Sequence, residues 1–172
     1  MSTQTDNTMS ARKSAEELAA ILARRSTERI VFAESCTSGL VAALLGQVPG
    51  ISDWLCGSAV TYRQTLKISW LGVTPNTIDR HTAESQETTN EMAIGVLKKT
   101  EEATCSAAVT GHLGPDAPSA VDGNLFVTIA RRNVRRLEIV TATSLKLTSK
   151  HRIDRQYEAA KTVLDLLILQ LS

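Results

Sequence analysis

The chain has 172 residues, with 19 Lys and Arg against 18 Asp and Glu for a net charge of +1. Hydrophobic residues make up 42% and charged residues 22%, a composition that can bury a core and that excludes disordered and fibrous classes. With aromatics at 3% and no bulk charge, neither nucleic acid nor an anionic membrane is expected as a partner, and no apolar run reaches the ~18 residues of a membrane span.

Residues 1–12 are polar and are expected to fray as a disordered segment, leaving 13–172 as one domain. They lack the apolar stretch of a secretion signal, which predicts a cytoplasmic protein. Ser14-x-x-Glu17 reads as a capping box, so the first helix is expected over 14–25, with Leu18, Ile21 and Leu22 at helical spacing. Arg29 to Ala33 is a short apolar run rich in β-formers and predicts a strand. It stops at the polar turn Glu34-Ser35-Cys36-Thr37-Ser38-Gly39, after which Leu40 to Leu45 reads as a buried helix ending near Gly46.

A second strand is expected over 55–62, then a short helix over 64–71 closed by Gly72. Residues 75–81 read as a connector with one helical turn. Ser85 caps a helix to about residue 100, with Met92, Val96 and Leu97 on one face and Ala93 and Gly95 thinning the packing. Residues 105–110 predict a strand and 111–123, with Pro115 and Pro118, a loop. Two strands over 125–130 and 136–143 form a hairpin through Arg131, Arg132, Arg135 and Arg136, read as a solvated basic turn. A last helix is expected over 154–171, with Tyr157, Ala160, Leu164, Leu167 and Leu171 along one stripe.

Strands alternating with helices, then a hairpin and a helix, predict a three-layer α/β/α sandwich on a mostly parallel mixed sheet with one antiparallel member. Phe32, Val60 and Val109 are expected on its central strands. Sites in such sheets lie beyond the carboxyl ends of the strands. The turns at Ser35 and Tyr62 and the loop at Gly111 would then share one rim.

Ser35 lies between a strand and the first turn of a helix, where free N–H groups suit an oxyanion. Ser35, Thr37 and Ser38 read equally well as plain capping residues. A nucleophilic serine needs a base. The histidines show no local pattern, whereas Lys67 follows the second strand on an otherwise apolar helix and could act if held neutral by burial; it reads equally as a surface lysine. Cys36 is a rival nucleophile at the same turn. Cys36, Cys56 and Cys105 are odd in number and lack zinc-ligand spacing, and no phosphate-loop or dinucleotide motif is present. Neither metal nor cofactor is expected.

Ala33-Glu34-Ser35-Cys36-Thr37-Ser38-Gly39-Leu40 resembles the A-E-S-C-T-G-G-L signature of the CinA C-terminal domain family, which includes nicotinamide-nucleotide amidases. Val48-Pro49-Gly50, Val60-Thr61-Tyr62 with Lys67, Leu71-Gly72-Val73, Arg80-His81 with Ser85 (R-H-G-A-V-S in the family), Glu91-Met92-Ala93 and Val109-Thr110-Gly111 with Gly114-Pro115 match further motifs in order. The resemblance implies hydrolysis of the carboxamide of nicotinamide mononucleotide to nicotinic acid mononucleotide and ammonia, with no metal or cofactor. It implies Ser35 as nucleophile, Lys67 as base and Tyr62 as the residue that tunes the lysine. It implies a small-molecule nucleotide partner held by Thr37, Ser38, Gly39, Thr110, Gly111, Gly114 and Arg152, and a tendency to self-associate. The rim departs from the family: Ser38 replaces a glycine, Arg63-Gln64 replaces S-N, His112-Leu113 replaces I-A, and Asp116-Ala117-Pro118 replaces a glycine run. An acidic, rigid loop would repel a nucleotide phosphate. The alternative is therefore a catalytically weak or inactive relative that binds a ligand or partner.

Overall fold

A computed structural model describes residues 2–134 and 136–172, so Arg135 of the basic turn lies outside the described residues. Helix α1 (Ser2–Leu22) opens the chain, followed by β1 (Ile30–Glu34) and α2 (Leu40–Gly46). Then come β2 (Leu55–Val60), α3 (Gln64–Leu71), α4 (Pro75–His81) and α5 (Gln86–Lys99). Strands β3 (Cys105–Gly111), β4 (Asn124–Arg132) and β5 (Leu137–Lys146) precede α6 (Arg152–Leu171).

The sheet order is β2-β1-β3-β4-β5. β1 runs parallel to β2 and β3, and β4 is antiparallel to both β3 and β5. The sheet is thus mostly parallel with β4 as its reversed member. Alternation along the buried strands divides the core in two. Ile30, Phe32, Ala107 and Val109 face α1, α2 and α6, whereas Val31, Ala33 and Ala108 face Leu71 of α3 and Met92 and Val96 of α5. Phe32 and Val109 hold the central positions expected of them. Val60 does not: β2 is an edge strand and Val60, its last residue, is exposed.

The amino-terminal segment is helical rather than frayed, and Ser14 does not start a helix. Ser14 lies mid-way along α1, where its Oγ donates to Asp165 Oδ1 of α6 at 2.7 Å. The apolar stripe begins earlier than the capping box suggests: Ala11, Ala15, Leu18 and Leu22 are all buried, and α1 lies along α6. Packing against α6 supplies what the weak local propensity lacks. The expected connector at 75–81 is a full helix, because Thr74 caps it by accepting from Thr77 N–H and Pro75 starts it. The basic turn is less solvated than expected. Arg131 pairs with the buried Glu28, and Arg132 donates to the carbonyls of Leu97, Thr100 and Ala103, closing the carboxyl end of α5. Among the described residues no helix is long and apolar enough to cross a membrane.

Gly95 of α5 lets that helix lie directly on the end of α3. A Cβ there would stand 1.9 Å from the Leu71 carbonyl oxygen. Gly95→Ala should therefore force the helices apart and destabilise the fold by about 2–3 kcal/mol, read as a lower urea midpoint with an unchanged slope.

Candidate active site

The turn after β1 is held by the sheet itself. Beyond the end of the strand, Ser35 N–H donates to Val109 O of β3 at 3.1 Å, and Thr61 N–H donates to Glu34 O at 2.8 Å. The carboxyl ends of three neighbouring strands are thereby tied at one point. Glu34 is fully buried and accepts four hydrogen bonds. Oε2 takes Thr37 Oγ1 at 2.8 Å and Val41 N–H at 3.1 Å; Oε1 takes Ala42 N–H and Ser58 Oγ, both at 3.0 Å. The amino terminus of α2 is thus capped by Glu34, not by Ser35, Thr37 or Ser38. Gly39 enters α2 at φ 95 and Ser38 precedes it at φ 54, a left-handed pair that turns the chain sharply off the strand.

Lys67 descends from α3 into the same place. It is fully buried on the face of α3 that also carries Leu71. Its Nζ donates to Ser35 Oγ at 2.8 Å and to the Thr61 carbonyl at 3.0 Å, and no carboxylate forms an ion pair with it among the described residues. Burial pushes the Lys67 ammonium below its ordinary range, opposed by the more distant Glu84 carboxylate. Ser35 is 4% exposed and so just reachable from outside. Cys36 lies beside it, but burial pushes its thiol up to about 12, which removes it as a thiolate nucleophile near neutral pH. The Thr37 N–H donates to no backbone carbonyl among the described residues.

A cleft of about 260 Å³ opens over Ser35, lined among others by Tyr62, Glu84, His112, Asp116 and Arg152. Tyr62 is exposed at its mouth and does not hydrogen-bond to Lys67. Its hydroxyl instead accepts from Arg152 Nη2 at 2.8 Å, while Arg152 Nη1 donates to Gly114 O at 2.7 Å. Among the described residues Lys67 hydrogen-bonds to the Thr61 carbonyl, one residue before Tyr62, and not to the Tyr62 hydroxyl. A larger cavity of about 650 Å³ lies between α3 and α5, with Thr74, Asn90, Glu91 and Lys98 on its walls.

A sequence model of the CinA C-terminal domain matches residues 11–171. The chain belongs to the CinA C-terminal domain family. It is 38% identical over 123 residues to a CinA-like protein of Myxococcus xanthus, covering 70% of this chain and 29% of that protein. It is 49% identical over 86 residues to one of Desulfosudis oleivorans, covering 50% and 21%. The chain therefore spans less than a third of the length of these curated relatives. Among solved structures it resembles a competence/damage inducible protein of Agrobacterium tumefaciens, at 30% identity, TM-score 0.82 and coverage of 91% and 94%. A competence or damage-inducible protein of Enterobacter asburiae gives 26%, 0.82, and coverage of 94% and 98%.

Against this CinA fold the expected substrate residues divide. Gly111, Gly114 and Arg152 line the cleft. Thr37 and Thr110 do not offer their side chains: Thr37 Oγ1 is bound to Glu34, and Thr110 Oγ1 shares a buried hydrogen bond with Thr89 at 2.7 Å. Ser38 is exposed, and Gly39 serves the turn. Arg152 is a clip rather than a free cation. The loop it holds is further fastened by a bidentate pair, Arg155 to Asp122 at 2.6 and 2.8 Å; those hydrogen bonds hold the Asp122 carboxyl below its usual range. Sequence reasoning missed Glu34, Thr61, Glu84 and the Asp122–Arg155 pair. The signals available were that Glu34 and Thr61 lie inside the motifs that carry the resemblance, and that Glu84 stands where the family motif R-H-G-A-V-S carries valine. Among the described residues no cluster of three metal-ligating side chains occurs.

Burial of Lys67 has a consequence for stability. The unfolded chain keeps this proton up to about pH 10.5, while the folded chain releases it at lower pH. The unfolded state therefore binds more protons in that window, and folding gains as pH rises through it. Urea titrations of the wild type and Lys67→Met from neutral pH to about 10.5 should show the wild type gaining on the variant. A constant difference would mean that Lys67 is charged in the folded state.

Proposed function

We propose that this CinA domain is a serine–lysine amidohydrolase that converts the carboxamide of nicotinamide mononucleotide to the acid and ammonia. The observation that carries the reading is the Lys67 nitrogen, buried without a counter-ion 2.8 Å from Ser35 Oγ. When Lys67 is neutral the hydrogen bond reverses, and the Ser35 hydroxyl donates to the amine lone pair. Ser35 Oγ then forms a bond to the amide carbon while its proton passes to Lys67. The carbonyl oxygen takes the developing charge beside the N–H groups of Cys36 and Thr37. Lys67 returns the proton to the amide nitrogen, the C–N bond breaks and ammonia leaves. Water, deprotonated by Lys67, attacks the acyl-Ser35 ester, and the serine regains its proton as the acid departs.

In this reading the carboxamide and its ring occupy the cleft over Ser35, and ribose and phosphate extend past Tyr62 and Arg152. A second reading, a catalytically weak or inactive relative that binds another ligand or a partner, is favoured by Asp116 on the rim and by the engagement of both terminal nitrogens of Arg152, which oppose a nucleotide phosphate.

Ammonia release from nicotinamide mononucleotide tests the first reading. Ser35→Ala and Lys67→Arg should each lower the rate by about 10³-fold or more, with substrate binding retained by calorimetry. Arginine keeps the charge but cannot serve as a neutral base. A folded wild type that releases no ammonia would select the second reading, and an active Lys67→Arg variant would require a different base.

A further inference from the structure

We propose that Glu84 makes the cleft selective for a carboxamide carried on a positively charged ring. The inference rests on the serine–lysine reading of the site and concerns what that site accepts.

Glu84 is half-buried and lines the cleft together with Ser35 and Tyr62. In a space of about 260 Å³, an occupant whose amide carbon reaches Ser35 has the rest of its ring against the walls. The Glu84 carboxylate makes no hydrogen bond or ion pair among the described residues. It is nevertheless held in place by its neighbours. Ser85 caps α5 through Thr88 N–H, and the Thr82 carbonyl accepts from Ser85 Oγ at 3.1 Å and Thr88 Oγ1 at 2.7 Å. Thr82 itself is at φ 73, a conformation that a β-branched residue adopts only when its surroundings dictate it. A strained, pinned segment thus places, on the wall of the cleft that holds Ser35, a carboxylate with no hydrogen bond or ion pair among the described residues.

The other charges around the cleft do not cancel it. Asp116 adds a second negative charge at the rim. Arg152 balances one carboxylate, and its terminal nitrogens already donate to Tyr62 and Gly114. Lys67, beneath Ser35, is the group that burial drives towards neutrality. A ring cation bearing the carboxamide satisfies both ends at once, with the amide at Ser35 and the charge near Glu84. A neutral ring of the same shape would remove water from the carboxylate and return nothing, which a partly buried site penalises more than a missing methyl group.

The test reads binding through the nucleophile, so it does not depend on turnover. A fluorophosphonate labels Ser35 in the wild type, with Ser35→Ala as the unlabelled control, and added amides slow the labelling by occupying the cleft. The probes are the N-methylpyridinium form of nicotinamide and its neutral counterpart of like size, meta-methylbenzamide. Each rate is compared with the same protein's rate without amide. The cation should protect at a concentration about tenfold or more below that of the neutral amide. That advantage should shrink as salt is raised to about 0.5 M and should be lost in Glu84→Gln. Equal protection by the two amides in the wild type overturns the proposal whether or not the variant folds. A cation advantage that survives unchanged in a labelled Glu84→Gln overturns it as well. Absence of Ser35 labelling in the wild type overturns the serine–lysine reading, and this proposal with it.

Discussion

The candidate site depends on a lysine removed from water without a counter-ion. Lys67 is fully buried, and among the described residues its nitrogen hydrogen-bonds only to a hydroxyl and a backbone carbonyl. A buried ammonium is expensive unless paired, and the usual response is to surrender the proton. The same burial penalises the charged form, and in the proposed mechanism the neutral amine holds its lone pair beside Ser35. Placement is what makes this useful. The lysine hangs from a helix whose other buried position, Leu71, is fixed in the core against α5, and the Thr61 carbonyl aims its nitrogen from the other side.

One residue before Ser35 the chain solves the opposite problem in the opposite way. Glu34 is buried just as deeply, and its two oxygens are saturated by two hydroxyls and two N–H groups from the first turn of α2. The positive end of a helix and charge-assisted hydrogen bonds make this a stable position for a carboxylate. Glu34 and Lys67 form no ion pair with each other. Had they done so, the lysine would have been stabilised in its charged form and disqualified as a base. Glu34 instead fixes the turn, and the ladder bonds from Val109 and to Thr61 fix its two ends. The serine is presented by a frame that has little freedom left.

The rim is built differently from the floor. The Tyr62–Arg152–Gly114 clip and the Asp122–Arg155 pair fasten the loop after β3 to the first turns of α6. Side chains that might have reached for a phosphate therefore hold the cleft in shape. What remains to meet a ligand is Glu84, Asp116 and the His112 imidazole, whose Nδ1 is buried without a partner among the described residues. Under the proposed function, reaction chemistry and substrate choice rest on separate parts of the fold, so one can change while the other is kept.

Much of the architecture was legible in the chain because apolar periodicity reports burial directly. The runs at Ile30 to Ala33 and Cys105 to Val109, the stripe of α6 and the turn at Ser35 all appear where local pattern places them. The start of α1 was not legible, since its stability comes from α6, about 150 residues away in sequence. By itself the sequence determined the sheet, the crevice at its carboxyl edge and the pairing of Ser35 with Lys67 as the residues to consider. Only the tertiary structure decided that Lys67 lacks an ion pair among the described residues, that Thr61 rather than Tyr62 touches it, that Glu34 occupies the helix terminus meant for an oxyanion, and that Glu84 lines the cleft over Ser35. Those four facts depend on backbone atoms and on groups far apart along the chain. Residue type and spacing carry no record of which carbonyl a side chain will meet once the strands close.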